Sequence, residues 1–444
     1  MEETAFAVAI ETLSWIEAGR MGTKYALART LKQLNVHKID AIGLAHKLVE
    51  ETLRRQNVID KLLAETIPSE TLEKLPLGTR NFLRIYTYQN KYAGQRNIDS
   101  AFASITLARK ILGWRDIHPI EPFLGRILSR DIHSLVRTKN LTETLSLSTF
   151  HETWFVDYCI KMLGNSEAKM LLQQNTDPSP TYLRINTLQG EEVELIKKLE
   201  EDNIELQKLS DYPNFFKLMR SKTPLIKTRS YRTGLFAIQD KSSGTAVQAA
   251  SPREGMIVYD VCAGPGAKTG YLSQAMQNTG LILSMDISHR RLEILRSEMS
   301  RLGVKIVSAF VGDARRSLPI EGVADVVLVD PPCSNTGVFQ KDPLAKWRLQ
   351  QSSLRLFADK QARILEKSAE KVVRKGVRVY STCSITIEEN EEVIQRFLGA
   401  HSNFALEKPT VQGKPGLLGL TDCVRLYPHI ENSNGSFIAR LRKK

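Results

Sequence analysis

From Thr4 to Leu145 apolar residues return at every third or fourth position: Phe6, Ala9, Ile10 and Leu13, then Leu44, Leu48, Leu53, Leu62 and Leu63. That spacing places them on one face of successive helices, and no strand-like alternation interrupts it. Breaks at Gly19–Gly22, Pro68–Leu77, Gly94 and Pro119–Pro122 divide the stretch into roughly five to seven expected helices. Ser146–Asn175 adds two more helical stretches, one over Trp154–Leu163, and Pro178 and Pro180 end that pattern. Tyr182–Asn186, Ile204–Leu209 and Phe215–Leu218 then read as strands. They surround a charged helix, Glu191–Glu201, with Val193, Ile196 and Leu199 turned inward. This order predicts a small α+β, ferredoxin-like layer. From Gly234 apolar strands alternate with helical patterns: Ile257–Val261, Leu281–Met285, Ile306–Phe310, Val326–Val329 and Val377–Tyr380. Such alternation predicts an α/β fold, a Rossmann-like, doubly wound and mostly parallel sheet. Val424–Leu426 and Ser436–Leu441 are expected to close it as an antiparallel edge hairpin.

Length and charge add to this picture. A chain of 444 residues is expected to hold two or three domains. Lys and Arg number 62 against 49 Asp and Glu, a net charge of +13. A chain this basic is suited to a polyanion. Because the charge is spread rather than gathered in a tail, a broad nucleic-acid surface fits better than a membrane. Arg220, Lys222, Lys227, Arg229 and Arg232 form a run with no acid, suited to phosphates. The five cysteines show no Cys-x-x-Cys spacing. Neither a metal site nor a disulfide framework is expected, which suits a reducing, cytoplasmic setting. No basic leader precedes an apolar stretch and no run of about 18 apolar residues occurs, so neither a secretory signal nor a membrane span is expected. His37, His46, His118 and His133 are scattered and read as surface or satisfied histidines, not as ligands.

The candidate chemistry gathers at strand ends. Val326–Val329 is a buried-strand run that stops at Asp330 and two prolines, which holds Cys333 on a stiff turn. The carboxyl edge of an open α/β sheet is where ligands bind. The loop after the first parallel strand reads Cys262, Ala263, Gly264, Pro265, Gly266, Ala267, Lys268, Thr269. Thr269 spoils a dinucleotide pattern and Ala267 spoils a P-loop. What remains is a glycine turn that admits a ligand close to the backbone, before a helix start that suits a carboxylate. Asp286, Asp313 and Asp330 each follow a strand, and Asp286 lies 20 residues after Gly266, the spacing for a ribose. Together these predict a nucleoside ligand without a polyphosphate but with an amino-acid-like end, and S-adenosylmethionine fits. Cys383 also ends a strand, before Glu388–Glu392, acids placed to suit a helix start. Two thiols without metal partners point to nucleophilic chemistry.

The stretches Cys262–Thr269, Asp330–Cys333 and Ser381–Ser384 with Glu388–Glu392 resemble the RNA cytosine-C5 methyltransferases of the RsmB/Sun/Nop family. So do Arg184–Thr187, Gln239-Asp240 with Ser242-Ser243, Pro343 with Lys346-Trp347, Arg425–His429 and Gly435–Phe437. Leu83-Arg84 and Phe123–Arg130 resemble the NusB-like domain of the RsmB branch. Ala267, where the family usually has a second glycine, and Gln340-Lys341 depart from its pattern. The resemblance implies three domains: an all-α NusB-like RNA-docking domain at 1–145, a helical linker and RNA-binding layer at 146–232, and a Rossmann-like methyltransferase domain at 233–444. It implies Cys383 as nucleophile, Cys333 in release or proton shuttling, and Lys268 and Asp330 beside the base. Around S-adenosylmethionine it places Cys262–Lys268, Asp286, Asp313 and Asp330. The expected substrate is ribosomal RNA ahead of transfer RNA, and the expected state a monomer. A binding protein that has lost catalysis, and a DNA methyltransferase using Cys333, are the competing readings. The first is disfavoured by the intact thiols, the second by the Thr-Cys motif at Cys383 and the basic, RNA-type middle layer.

Overall fold

A computed structural model describes residues 2–94, 98–316, 318–319 and 321–444. The chain divides into two compact units, Met1–Asp177 with Lys341–Arg348, and Pro178–Gln340 with Leu349–Lys444.

The first unit is all helical among the described residues. Phe6, Ala9, Ile10, Leu13, Leu48, Leu53, Leu62 and Leu63 all lie in its buried core, as their spacing predicted. Eleven α-helices lie between Glu2 and Thr149 among the described residues, more than expected. The surplus comes from short ones such as Ser69–Lys74, Trp114–Ile117 and Ile132–Val136, too brief to show a hydrophobic period. Thr153–Gln174 follows, with a kink at Gly164. His37, His46, His118 and His133 are exposed. The segment Lys341–Arg348 comes from far along the sequence. Its Leu344 enters the helical core. Its polar side chains cap helix ends: Lys346 Nζ donates to Arg54 O at 2.8 Å, Trp347 Nε1 to Leu53 O at 2.6 Å, and Arg348 to Ile16 O at 3.0 Å. These carbonyls close the helices Ile39–Arg54 and Glu2–Ala18, whose last C=O groups have no partner within the helix.

The second unit carries two sheets. In the smaller, β1 (Tyr182–Ile185), β2 (Ile204–Lys208), β3 (Phe215–Ser221) and β4 (Phe236–Ile238) are ordered β2-β3-β1-β4, and every pair is antiparallel. The helix Glu192–Glu201 buries Leu195 and Leu199. Val193, expected inward, is 65% exposed, because the buried stripe runs through 195 and 199. Arg184 and Asn186 are buried ties. Arg184 donates to Gln239 and Gln274, and Asn186 Nδ2 donates to Gly234 O and Leu302 O, each at 2.8 Å.

The larger sheet contains β5 (Ile257–Asp260), β6 (Leu281–Asp286), β7 (Val307–Val311), β8 (Ala324–Val329), β9 (Val372–Thr382), β10 (Phe404–Glu407), β11 (Lys414–Pro415), β12 (Val424–Leu426) and β13 (Ser436–Lys443). Its order is β11-β12-β13-β9-β8-β5-β6-β7, with β10 beside β13. β9, β8, β5, β6 and β7 are parallel. The fold is α/β, with the Rossmann-like sheet expected. β13 pairs antiparallel with β9, so the closing pair is not a free edge; β11 stands outside it. The chain runs from β5 to β6 and β7 on one side, then returns to β8 on the other. That reversal opens a crevice at the carboxyl ends of β5 and β8.

Candidate active site

The loop after β5 enters that crevice. Gly266 has φ 109°, a conformation only glycine takes freely, and the helix Ala267–Ala275 begins next. Gly264 donates its N–H to Asp286 Oδ2 at 3.0 Å. A Cβ on Gly264 would lie 2.7 Å from that same oxygen, so glycine is required for the approach. Arg291 pairs with Asp286 at 3.0 Å and donates to Gly264 O. Ala263 is buried, while Pro265 and Ala267 are exposed at the loop's rim. Behind the loop, Asp260 is buried and accepts from Thr269 Oγ1 at 2.7 Å. Burial pushes it up to about 7. Burial also pushes the Cys262 thiol up.

A cavity of about 200 Å³ opens beside this loop, lined by Cys262, Asp286, Ile287, Asp313, Pro332 and Phe357 among others. Asp313 faces it with its carboxylate gripped by Arg315 Nε at 2.9 Å and Nη2 at 2.7 Å, which lowers it to about 2. Ile287, Pro332 and Phe357 supply apolar surface that strand-end reasoning did not single out.

Asp330 and Cys333 follow β8, and Cys383 follows β9, its parallel neighbour. Lys268 Nζ lies 2.6 Å from Asp330 Oδ2, and Ser381 Oγ donates to Oδ1 at 2.9 Å. Burial opposes the Lys268 charge, but Asp330 outweighs it and raises the ammonium above its ordinary range. The Sγ atoms of Cys333 and Cys383 are 2.9 Å apart. Cys383 Sγ also donates to Asn335 Oδ1 at 2.9 Å. The neighbouring Cys383 sulfur and burial together hold the Cys333 thiol well above the usual range.

The two cysteine turns are pinned from beneath. Gly337 N donates to Cys383 O at 2.9 Å, and Gly435 N to Gly337 O at 2.7 Å. Glu389 is fully buried and accepts from Ser334 N, Ser384 Oγ, Thr386 Oγ1 and Gln361 Nε2. The expectation that Glu388–Glu392 sits in a first helical turn holds for Glu391 and Glu392 and fails for Glu388 and Glu389, which precede the helix. The helix begins only at Glu391, and Glu391 itself is buried against Arg425. Glu389 and Glu391 are therefore internal struts. The closeness of these acids to Ser384 and Thr386 was the available signal, but Ser334, Gln361 and Arg425 come from far along the sequence.

Three family profiles match this chain: "16S rRNA methyltransferase RsmB/F" over residues 247–442, "Methyltr_RsmF/B-like, ferredoxin-like domain" over 151–223, and "NusB family" over 4–110. The chain belongs to the RsmB/F methyltransferase family. This RsmB/F-family chain is 27% identical to the probable ribosomal RNA small subunit methyltransferase B of Bacillus subtilis, with 98% of each chain covered. It is 31% identical to the ribosomal RNA small subunit methyltransferase B of Yersinia enterocolitica, over 66% of each. A crystal structure of a methyltransferase homolog from Pyrococcus horikoshii matches with TM-score 0.62 and 30% identity, over 69% of this chain and all of that one.

RsmB/F enzymes use S-adenosylmethionine, and the residues present fit it. The Gly264 cradle leaves room that a side chain would fill. Asp286 and Asp313 offer carboxylates to a nucleoside's hydroxyl and amino donors, and Ile287, Pro332 and Phe357 offer apolar walls to its base. Among the described residues no group of His, Cys, Asp or Glu is arranged to hold a metal ion, and no helix is long and apolar enough to cross a membrane.

Proposed function

We propose that this RsmB/F-family enzyme methylates C5 of a cytosine in ribosomal RNA through a covalent bond between Cys383 and C6 of the base. The two thiol sulfurs 2.9 Å apart on neighbouring strand ends carry this reading. Support for ribosomal over transfer RNA comes from the Bacillus and Yersinia relatives and from the NusB match.

S-Adenosylmethionine, when bound, supplies an electrophilic methyl group between Asp286, Asp313 and the Cys262–Lys268 loop. The protein's part is to turn C5 of cytosine, a weak nucleophile, into a competent one. The target base leaves its stack to reach the crevice. Cys383 Sγ bonds to C6, and the electron pair of the C5–C6 double bond moves toward C5. Asp330 faces the N3 edge, while the Lys268 ammonium at 2.6 Å offsets negative charge on this side of the site. After C5 has gained its methyl, its proton passes to solvent water, the C5–C6 double bond reforms, and the Sγ–C6 bond breaks with its electron pair leaving on Cys383 as a thiolate. Cys333 holds its proton beside the departing sulfur and eases that release.

Residues 1–145 dock the RNA, 146–232 help to hold it, and 233–444 carry the chemistry, in a monomeric cytoplasmic protein. Bisulfite sequencing of RNA from cells with and without the protein identifies molecule and position together. Cys383→Ala abolishes methyl transfer, and Cys333→Ala accumulates a protein–RNA adduct on denaturing gels. An adduct with Cys383→Ala instead would reverse the two roles.

A further inference from the structure

At the amino ends of β5, β8 and β9, the end of the sheet opposite the thiols, lies a groove of about 270 Å³. Its lining includes Arg253, Arg374, Lys375, Arg440 and Arg442, with one carboxylate, Asp325. The groove is built by an irregularity in β9. Ala324 pairs with Val372 and Val326 with Val377, so two steps along β8 face five along β9. The surplus forms a bulge in which Lys375 takes φ 63°, a strained conformation for a residue with a side chain. A Cβ on Gly376 would lie 2.9 Å from Asp325 O, so the bulge sits hard against β8. Bulges re-aim side chains, and this one leaves Arg374 and Lys375 exposed.

The charges in the groove are not balanced internally. Among the described residues no hydrogen bond or ion pair engages the side chains of Arg253, Arg374 or Lys375. Arg440 and Arg442 share the single carboxylate of Glu407, at 3.1 and 2.8 Å. Asp325 already accepts the Ile257 N–H at 2.8 Å. A cluster of forked and point cations with a surplus of positive charge is suited to phosphate oxygens.

We propose that this groove binds backbone phosphates of the substrate RNA at a place remote from the target cytosine, an inference that rests on the RNA-methylating function proposed above. From Gly376 to Thr382, β9 covers about 20 Å at about 3.3 Å per residue. An RNA of a few nucleotides confined to the crevice does not reach the groove, whereas a large RNA that follows the protein surface does. The groove therefore favours large structured RNA over short substrates.

The test is the double variant Arg374→Gln with Lys375→Asn, since Asn accepts the left-handed backbone. Binding is measured across a salt series, on ribosomal RNA from cells lacking the protein and on a short RNA spanning the cytosine mapped by bisulfite sequencing. Labelled methyl transfer is measured alongside. On ribosomal RNA, Kd is expected to rise about tenfold and the slope of log K against log salt to become shallower by about 1.5. On the short RNA, variant and wild type bind and react alike. Unchanged binding of ribosomal RNA by the variant, while the wild type transfers methyl, overturns the groove alone. Equal weakening on both RNAs also overturns it, as a general charge effect. A wild type that transfers no methyl overturns the function and the groove with it. Arg253→Gln, outside the bulge, is read in the same way should the double variant fail to fold.

Discussion

Glu389 Oε2 accepts the backbone N–H of Ser334 at 2.9 Å, so a carboxylate from the Cys383 side holds the turn that carries Cys333. The same side chain accepts from Ser384 Oγ at 2.7 Å. The spacing of the two thiols thus depends on a buried group that touches neither. Glu389→Ala removes the acceptor that four buried donors share and leaves the Ser334 N–H without a partner, which is expected to cost about 3 kcal/mol and to lower kcat more than it changes KM. Urea unfolding and steady-state methyl transfer check both; unchanged kcat would mean the turns hold each other without it.

Gly337 tests the same spacing from the backbone. A Cβ there would lie 2.3 Å from Gly435 O and 2.8 Å from Cys383 O. Gly337→Ala therefore pushes the two turns apart. It is expected to reduce methyl transfer at least tenfold while S-adenosylmethionine still binds by calorimetry, because the loop at Cys262–Lys268 is not touched.

Asp260 makes a pH prediction. Its folded pKa is raised from 3.8 to about 7 by burial. A raised value means its contribution to stability is fully present below about 4 and is lost as pH rises through about 7. Asp260→Asn removes this dependence and still accepts from Thr269. The variant is expected to gain stability relative to wild type at pH 8, and to show no gain at pH 4, in thermal unfolding at both values. A gain of equal size at both would exclude Asp260 as the cause.

Asp313 shifts in the other direction. Hydrogen bonds from Arg315 come first among the causes that lower it to about 2 from 3.8. Its ionised form is favoured above the unfolded value, and that preference is lost as pH falls through about 2. Arg315→Ala is expected to move the carboxyl titration, followed by carbon NMR, back toward 3.8, and to weaken S-adenosylmethionine binding severalfold. A titration that stays in place would assign the shift to the backbone alone.

Much of the placement of the candidate site was legible in the chain. The strand-end residues Asp286, Asp313, Asp330, Cys333 and Cys383 could be read because an apolar run followed by a turn marks a strand's carboxyl end. The first helices were legible for a similar reason: Phe6, Ile10 and Leu13 repeat with the helical period and are buried. Val193 misled because Ile196 and Leu199 can be joined either to Val193 or to Leu195, and the buried stripe runs through Leu195. Short helices such as Trp114–Ile117 carry too few residues to show any period.

The sequence by itself determined the α/β alternation, the all-α start, the residue types at the strand ends and the cationic surplus, since each depends on local order or on a simple count. Only the tertiary structure decided which of those groups meet. Lys268 reaches Asp330 from 62 positions away, and Cys333 meets Cys383 because β8 and β9 are parallel neighbours in register. Glu389 became a strut instead of a helix-start acid, and a bulge turned Arg374 and Lys375 outward. These outcomes depend on strand order, on register and on which buried polar group finds a partner. Local sequence does not encode them, because in each case at least one deciding partner comes from a distant part of the chain.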